Sequence, residues 1–264
     1  MPYASLSMSE KPSQPIVIKI GGSTLGAHDT SIADCAALHN AGRSVVIVHG
    51  GGATVSDWLG RLAVPTEFVS GLRKTTAEAR EVVVAVLAGL VNKQLVQQFA
   101  ALGVRAIGLC GADGGILRSV MNSRGLGYVG DAPICDATAL RAQLGAGFMP
   151  VVSPIGLTPG GDELLNINAD TAAGAIAAAL QAEHLIFLTD VAGILDQEQS
   201  LVPCLNAAAI TRLQEDGTLA GGMLPKVEAC RAAARAGART RIVDGRATGA
   251  IEAALRGEIG TMIV

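Results

Sequence analysis

The chain has 264 residues, half of them hydrophobic and 3% aromatic, and carries a formal net charge of -3. That length buries one large core, and the mild acidity and scarce aromatics exclude the basic, base-stacking surface of a nucleic-acid binder. Its five scattered cysteines (Cys35, Cys110, Cys135, Cys204 and Cys230) form no C-x-x-C pair, so neither a disulfide framework nor a zinc site is expected, and a reducing cytoplasm is the expected location.

Residues 1–15, MPYASLSMSEKPSQP, are polar and contain proline. They lack the apolar centre of a signal peptide and read as an N-terminal extension. PIVIKIGG (15–22) is the first strand, followed by a helix over 29–41 and a second strand, SVVIVHGG (44–51). Helices are predicted over 52–62 and 75–102, then a strand at VRAIGLCG (104–111). The densest apolar run, VVVAVLAGLV (82–91), is closed by Asn92 and Lys93. It falls short of the about 20 residues of a bilayer span, so no membrane segment is expected. RSVMNSRGLGYVGDAP (118–133) reads as a hairpin excursion and 136–146 as a helix. MPVVSPIG (149–156) is one strand, and GLTPGGDELLNINAD (156–170) is a turn, a short strand and a helix start. A helix over 169–182, the strand HLIFLTD (184–190), helices over 206–216 and 223–237, the strand TRIVD (240–244), a helix over 248–257 and the terminal GTMIV complete the chain. Glycines near the ends of GATVSDWLGRL and ATALRAQLGAG read as C-caps. Near-continuous apolar strands alternating with helices predict an α/β sandwich with a mainly parallel sheet covered on both faces. Its two lobes are expected to meet near residue 180.

The chemistry concentrates at strand ends. No G-x-x-x-x-G-K-[ST] is present, which excludes a Walker loop. No G-x-G-x-x-G follows the first strand, so a nucleotide-dependent oxidoreductase lacks its fingerprint. Instead IKIGGS and IVHGGGAT end two strands at the carboxyl edge of the sheet, where ligands sit. They are either tight turns or an anion site made of backbone N–H groups and a helix N-terminus. Lys19, inside an apolar strand, reaches a phosphate at that edge or snorkels from an edge strand. Asn166, Asn168 and Asp170 precede an Ala-rich helix. Asn168 or Asp170 is an N-cap, or the row faces polar ligand groups. Asp190, in LTDVAGIL, caps a turn or bonds a nucleotide. Lys226 sits in the first turn of a helix after Gly221 and Gly222, an unfavourable place for a cation unless an anion is shared there. Arg73, in GLRKTTAEA, forks onto a carboxylate or belongs to a solvated basic turn, and Thr75 or Thr76 caps the helix that follows. The histidines form no nucleophile constellation, which leaves a hydrolase without support.

In order, K-x-G-G, H-G-G-G, G-L-R, N-x-N-A-D, T-D-V-x-G and G-G-M-x-x-K resemble the amino acid kinase family from about Pro15 to Val264, and within it the acetylglutamate kinases. The resemblance implies a three-layer αβα sandwich on a mainly parallel eight-stranded sheet. An N-lobe of about 16–180 would bind the acyl-amino acid and dimerise, and a C-lobe of about 181–264 would bind ATP. It implies transfer of a phosphoryl group from ATP, with Mg²⁺ carried by the nucleotide, to the γ-carboxylate of N-acetyl-L-glutamate in arginine biosynthesis. Lys19 and Lys226 resemble the lysines that stabilise the transferring group, and Asp170 the carboxylate that orients both. Gly22 and Gly51 resemble its backbone donors. Gly51, Gly52, Arg73 and Asn166 look like the acyl-amino acid site. Thr189, Asp190, Val191, Gly193, Ile194, Leu195, Gly222 and Met223 look like the nucleotide site.

A kinase for carrier-protein-linked aminoadipate or glutamate is the nearest rival; its second glycine turn resembles HGGS. A non-catalytic nucleotide or amino acid sensor would lack one of the lysines, and both are present. Family members inhibited by arginine carry a longer N-terminal helix that links dimers into hexamers. Here Pro12 and Pro15 break such a helix, so an arginine-insensitive homodimer is expected.

Overall fold

The computed structural model describes residues 14–21, 30–69 and 71–264. Gly22 and most of the N-terminal extension lie outside the described residues. Fourteen strands and nine α-helices are present among them. The central sheet has eight strands in the order β12 (Cys204–Leu205), β14 (Thr261–Ile263), β13 (Arg239–Asp244), β11 (His184–Thr189), β1 (Ile16–Ile20), β2 (Val45–His49), β8 (Met149–Ser153) and β5 (Ala106–Cys110). Six neighbours from β13 to β5 run parallel, and β14 pairs antiparallel to β13. The expected mainly parallel sheet is therefore present, with one reversal near an edge.

Alternation on β1 divides the core. Ile16, Ile18 and Ile20 pack with α1 (Ser31–Asn40), α2 (Gly52–Arg61), α3 (Ala77–Val84), α4 (Asn92–Ala101) and α9 (Ala250–Arg256). Val17 packs on the other face with α5 (Thr138–Gly145), α6 (Ala169–Leu180), α7 (Ala207–Glu215) and α8 (Met223–Arg235). Successive strand residues point to opposite faces, so Lys19 projects to the side of Val17, toward α6 and α8. β1 lies between β11 and β2, with Lys19 opposite Phe187 and Val48. Lys19 is thus on a central strand, and the snorkelling alternative fails because β1 is no edge.

Beside the sheet, β6 (Leu117–Met121), β7 (Val129–Cys135), β9 (Ile155–Leu157) and β10 (Leu164–Ile167) close on one another. β3 (Phe68–Val69) and β4 (Leu72–Arg73) form a small separate ribbon. The predicted hairpin excursion is the antiparallel pair β6–β7. MPVVSPIG, expected as one strand, divides at Pro154: β8 stays in the central sheet, and β9 leaves to pair with β10. Proline has no N–H for the ladder, while its carbonyl accepts from Ile167 N at 2.9 Å.

Two further expectations change. α2 does not end on a glycine: Gly60 is helical, and Ala63 takes the left-handed turn with φ +56°. Ala63 N and Val64 N bond back to Gly60 O and Leu59 O, and Val64 packs with Leu59 in the core. That hydrophobic closure fixes the cap without glycine. The helix predicted over 75–102 is present, but it changes the membrane expectation drawn from the 82–91 run. α3, a π-helical segment Ala85–Val91 and α4 form one helix, Ala77–Ala101, of 25 residues. By length and composition it could cross a membrane, because a continuous helix adds the flanking residues to the ten apolar ones. Ala79, Val83, Val86, Leu87, Val91, Leu95 and Phe99 line its core face against the sheet.

Candidate active site

Asp170 and the two lysines meet. Lys19 Nζ lies 2.6 Å from Asp170 Oδ1, and Lys226 Nζ donates to Asp170 Oδ2 at 2.9 Å and to Gly222 O at 3.1 Å. Asp170 is 5% exposed and Lys19 7%. Burial alone would raise the Asp170 carboxyl, but the ammonium groups of Lys19 and Lys226 outweigh it and hold the group below its ordinary value. Asn168, not Asp170, is the N-cap of α6: its Oδ1 accepts from Asp170 N and Thr171 N. Asp170 is left in the first turn, where the helix dipole favours a carboxylate. Lys226 folds back to the start of α8, and Asp170 supplies the shared anion its position demanded.

Helix packing sets this pair. A Cβ at Gly174 would lie 2.8 Å from Ala229 Cα, so only glycine allows α6 and α8 to come this close. Gly174 is one turn beyond Asp170, and Ala229 about one turn beyond Lys226. The sequence reading missed Gly174; the available signal was a lone glycine within an alanine run.

A cavity of about 190 Å³ lies against this centre. Gly50, Gly51, Gly52, Arg73 and Asn166 line it, and so do Asn168 and Ala169, the residues immediately before Asp170. The four predicted acyl-amino acid residues therefore share one cavity. Arg73 is 8% exposed. Its Nη2 donates to Gly52 O at 3.0 Å and to Ser56 Oγ at 2.7 Å, and its guanidinium covers the Phe68 ring. Arg73 Nη1 is buried without a hydrogen-bond partner among the described residues. Burial lowers the Arg73 pKa. A buried guanidinium with an open donor has the geometry to fork onto a carboxylate. Asn166 Nδ2 donates to Thr75 Oγ1 at 3.1 Å, and Thr76, one of the two expected caps, accepts from Ala79 N. Ser56 and Thr75 hold the Arg73 and Asn166 side chains; the sequence offered Thr75 only as a helix cap and carried no signal for Ser56.

Gly51 has φ +156°, and a Cβ there would lie 2.7 Å from Leu87 Cδ2 and 3.3 Å from Val91 Cγ2. Its bareness serves the helix behind it as well as any ligand. Gly51→Ala is accordingly expected to cost about 1–3 kcal/mol of stability as well as activity, read by urea unfolding beside kcat. At Gly52 a Cβ meets nothing within 4 Å. Gly52→Ala should retain the wild-type unfolding midpoint, so any loss of turnover there reports on the ligand alone.

A second cavity, about 550 Å³, is lined by Val191, Gly193, Ile194, Leu195 and Met223 of the predicted nucleotide set, together with Asp216, Thr218 and Leu219. Thr189, Asp190 and Gly222 do not line it. Thr189 Oγ1 accepts from Val191 N at 3.2 Å and lies within bonding distance of Val191 O and Val243 O, which fixes the turn. Asp190 is exposed, and Gly222 O holds Lys226. The 216–219 segment escaped the sequence reading because it carries only a turn signature. The lysine centre thus has one cavity ending at Ala169 and another at Met223, one residue and three residues from Asp170 and Lys226.

The model of the Amino acid kinase family matches residues 14–244. The acetylglutamate kinase of Acidiphilium cryptum is 44% identical, over 94% of this chain and 89% of that protein. That of Geobacillus kaustophilus is 48% identical, over 83% of this chain and 84% of its own. Among solved structures, a Streptococcus mutans protein superposes with TM-score 0.80 at 28% identity, covering 95% of this chain and 98% of that one. With the αβα architecture and the paired lysines, these likenesses establish that the chain belongs to the amino acid kinase family.

Proposed function

We propose that the chain transfers the γ-phosphoryl group of ATP to the γ-carboxylate of N-acetyl-L-glutamate, giving N-acetyl-L-glutamyl 5-phosphate by direct in-line displacement. The observation that carries this reading is the Lys19–Asp170–Lys226 centre between two cavities. An anion receptor, Arg73, stands in the first. A carboxylate is already nucleophilic, so no general base is required. The difficulty is bringing two anions together, and charge stabilisation supplies the rate. Lys19 and Lys226 are neutralised by Asp170 at rest and shared with the equatorial oxygens of the phosphoryl group in transfer. The amide of Gly51 adds a donor, and Gly22 is assigned the same role by its motif. Arg73 Nη1 receives a carboxylate of the acceptor, and Asn166 a further polar group. The 191–195 turn and Met223 cradle the nucleotide, Thr189 holds that turn, Gly222 O holds Lys226, and exposed Asp190 is assigned to the nucleotide by its motif.

Both oxygens of Asp170 are engaged by lysines, so this carboxylate does not fit a protein-held Mg²⁺. The ion belongs to the nucleotide phosphates in this reading, and no step is assigned to it. Residues lining the first cavity fall within 50–169 and those of the second within 191–223, which supports an acceptor lobe of about 16–180 and a nucleotide lobe of about 181–264. We assign the protein to the cytoplasm as a homodimer insensitive to arginine. Sizing with and without arginine tests the last point, and a hexamer would count against it.

ADP release should be seen with N-acetyl-L-glutamate and not with glutamate, aspartate or carbamate. No turnover with any of the four would sink the kinase reading. Arg73→Ala should raise the KM for the acyl-amino acid about 10- to 100-fold, the worth of a charge-assisted hydrogen bond. The KM for ATP should stay unchanged; a shift there instead would remove Arg73 from the acceptor site.

A further inference from the structure

We propose that Asn92 is a positioning residue of the acceptor site: its amide fixes the tautomer of His49, and His49 aims the Gly50–Gly51 peptide. The inference rests on the acceptor-site reading above. Asn92 begins α4 directly after the π-helical segment and is fully buried, as is His49. Its Nδ2 lies 2.9 Å from Val151 O, 3.2 Å from Leu109 O and 3.1 Å from His49 Nε2. Its Oδ1 accepts from Lys93 Nζ at 3.0 Å.

The orientation follows from donors and acceptors. Two carbonyls and an ammonium leave the amide one way round, with the NH₂ toward the carbonyls. His49 Nε2 faces that NH₂, so it must be the bare, accepting nitrogen. The ring proton then sits on Nδ1, which lies 2.8 Å from Gly50 O and donates to it. The peptide is trans, so Gly51 N–H points opposite to that held carbonyl. Gly51 lines the acceptor cavity. Protonating His49 would bring an N–H against the Asn92 NH₂. Burial, together with the charges of Lys19 on β1 and Lys93 on α4 and against the bond to Gly50, lowers the His49 pKa to about 4.

The same helix touches the turn twice more, through Leu87 and Val91 at the Cβ position of Gly51. On the sheet side, Gly108 of β5 leaves the room: a Cβ there would overlap Asn92 Oδ1 and Lys93 Nζ. One helix therefore meets His49 and Gly51 from behind, and His49 holds the Gly50 carbonyl between them.

The test uses ¹⁵N-histidine NMR and kinetics on the full chain. In the wild type, His49 should be the Nδ1–H tautomer and stay neutral down to pH 5; an Nε2–H ring overturns the proposal. Asn92→Leu removes the amide, and Gly108→Ala displaces it without altering residue 92. Either variant, if folded, should show mixed His49 tautomers and a kcat lowered about 10- to 100-fold, with the KM for ATP within about twofold. A folded variant with mixed tautomers and wild-type kcat also overturns it. If Asn92→Leu does not fold, the wild-type tautomer and Gly108→Ala still decide. If the wild type phosphorylates none of the acceptors, the acceptor reading falls, while the tautomer measurement still reads the Asn92–His49 contact.

Discussion

Lys19→Ala and Lys226→Ala are each expected to lower kcat about 100- to 1000-fold while leaving the acceptor KM within a few-fold. That size is typical when a preorganised donor is removed from developing charge in a water-poor site. The split follows from where the charges sit. In the resting site both ammonium groups face Asp170, at 2.6 and 2.9 Å. Their pull on substrate grows only as charge spreads over the transferring oxygens, and such interactions lower the barrier rather than strengthen ground-state binding. Steady-state kinetics in both substrates, with single-turnover measurement of the chemical step, reads this directly. A Lys226→Ala enzyme with wild-type kcat would show that Lys226 serves only to anchor Asp170 and the start of α8.

Asp170→Asn should destabilise the protein by about 3–5 kcal/mol, the usual cost of removing one partner from a buried ion pair, and should abolish turnover. Two lysine ammonium groups would remain in a site where Lys19 is 7% exposed, with an amide in place of their shared anion. Urea unfolding at neutral pH measures the loss. The acid limb separates this from a packing effect. Because the native Asp170 carboxyl lies below its ordinary value, its contribution is complete above the unfolded-state pKa. It fades as pH falls through the lowered native one. The Asn variant should lack that part of the acid dependence. An unchanged unfolding free energy would show that water already satisfies the lysines without Asp170.

Much of this was legible locally. β-branched runs ending in glycine marked β1 and β2, and a lysine inside IVIKI had too few ordinary explanations to be idle. The Ala-rich run after Asn168 and Asp170 announced the start of α6, with the cap open between the two. Local rules failed where a single substitution of partner decides the outcome. MPVVSPIG has strand chemistry throughout, yet Pro154 divides it between two sheets. Ala63, not Gly60, makes the left-handed turn after α2, because the Leu59–Val64 contact closes the cap from outside the helix. The helix predicted over 75–102 is present as Ala77–Ala101; only the membrane reading, made on the 82–91 run alone, took too short a window.

The sequence by itself determined the αβα class, the edge of the sheet that carries the glycine turns, and the residue types around an anion. Those are consequences of period, propensity and turn chemistry, all of which act over a few residues. That Asp170 joins Lys19 to Lys226 was implied by resemblance alone; only the tertiary structure makes the contact, across 151 positions in one direction and 56 in the other. It also decided that Arg73 keeps one donor open and that Asn92 stands behind His49. Such pairings depend on how closely α6 and α8 approach at Gly174 and on which face of β1 the helices cover. Helix approach and face coverage are set by packing between distant segments, and a linear pattern carries no distance between them.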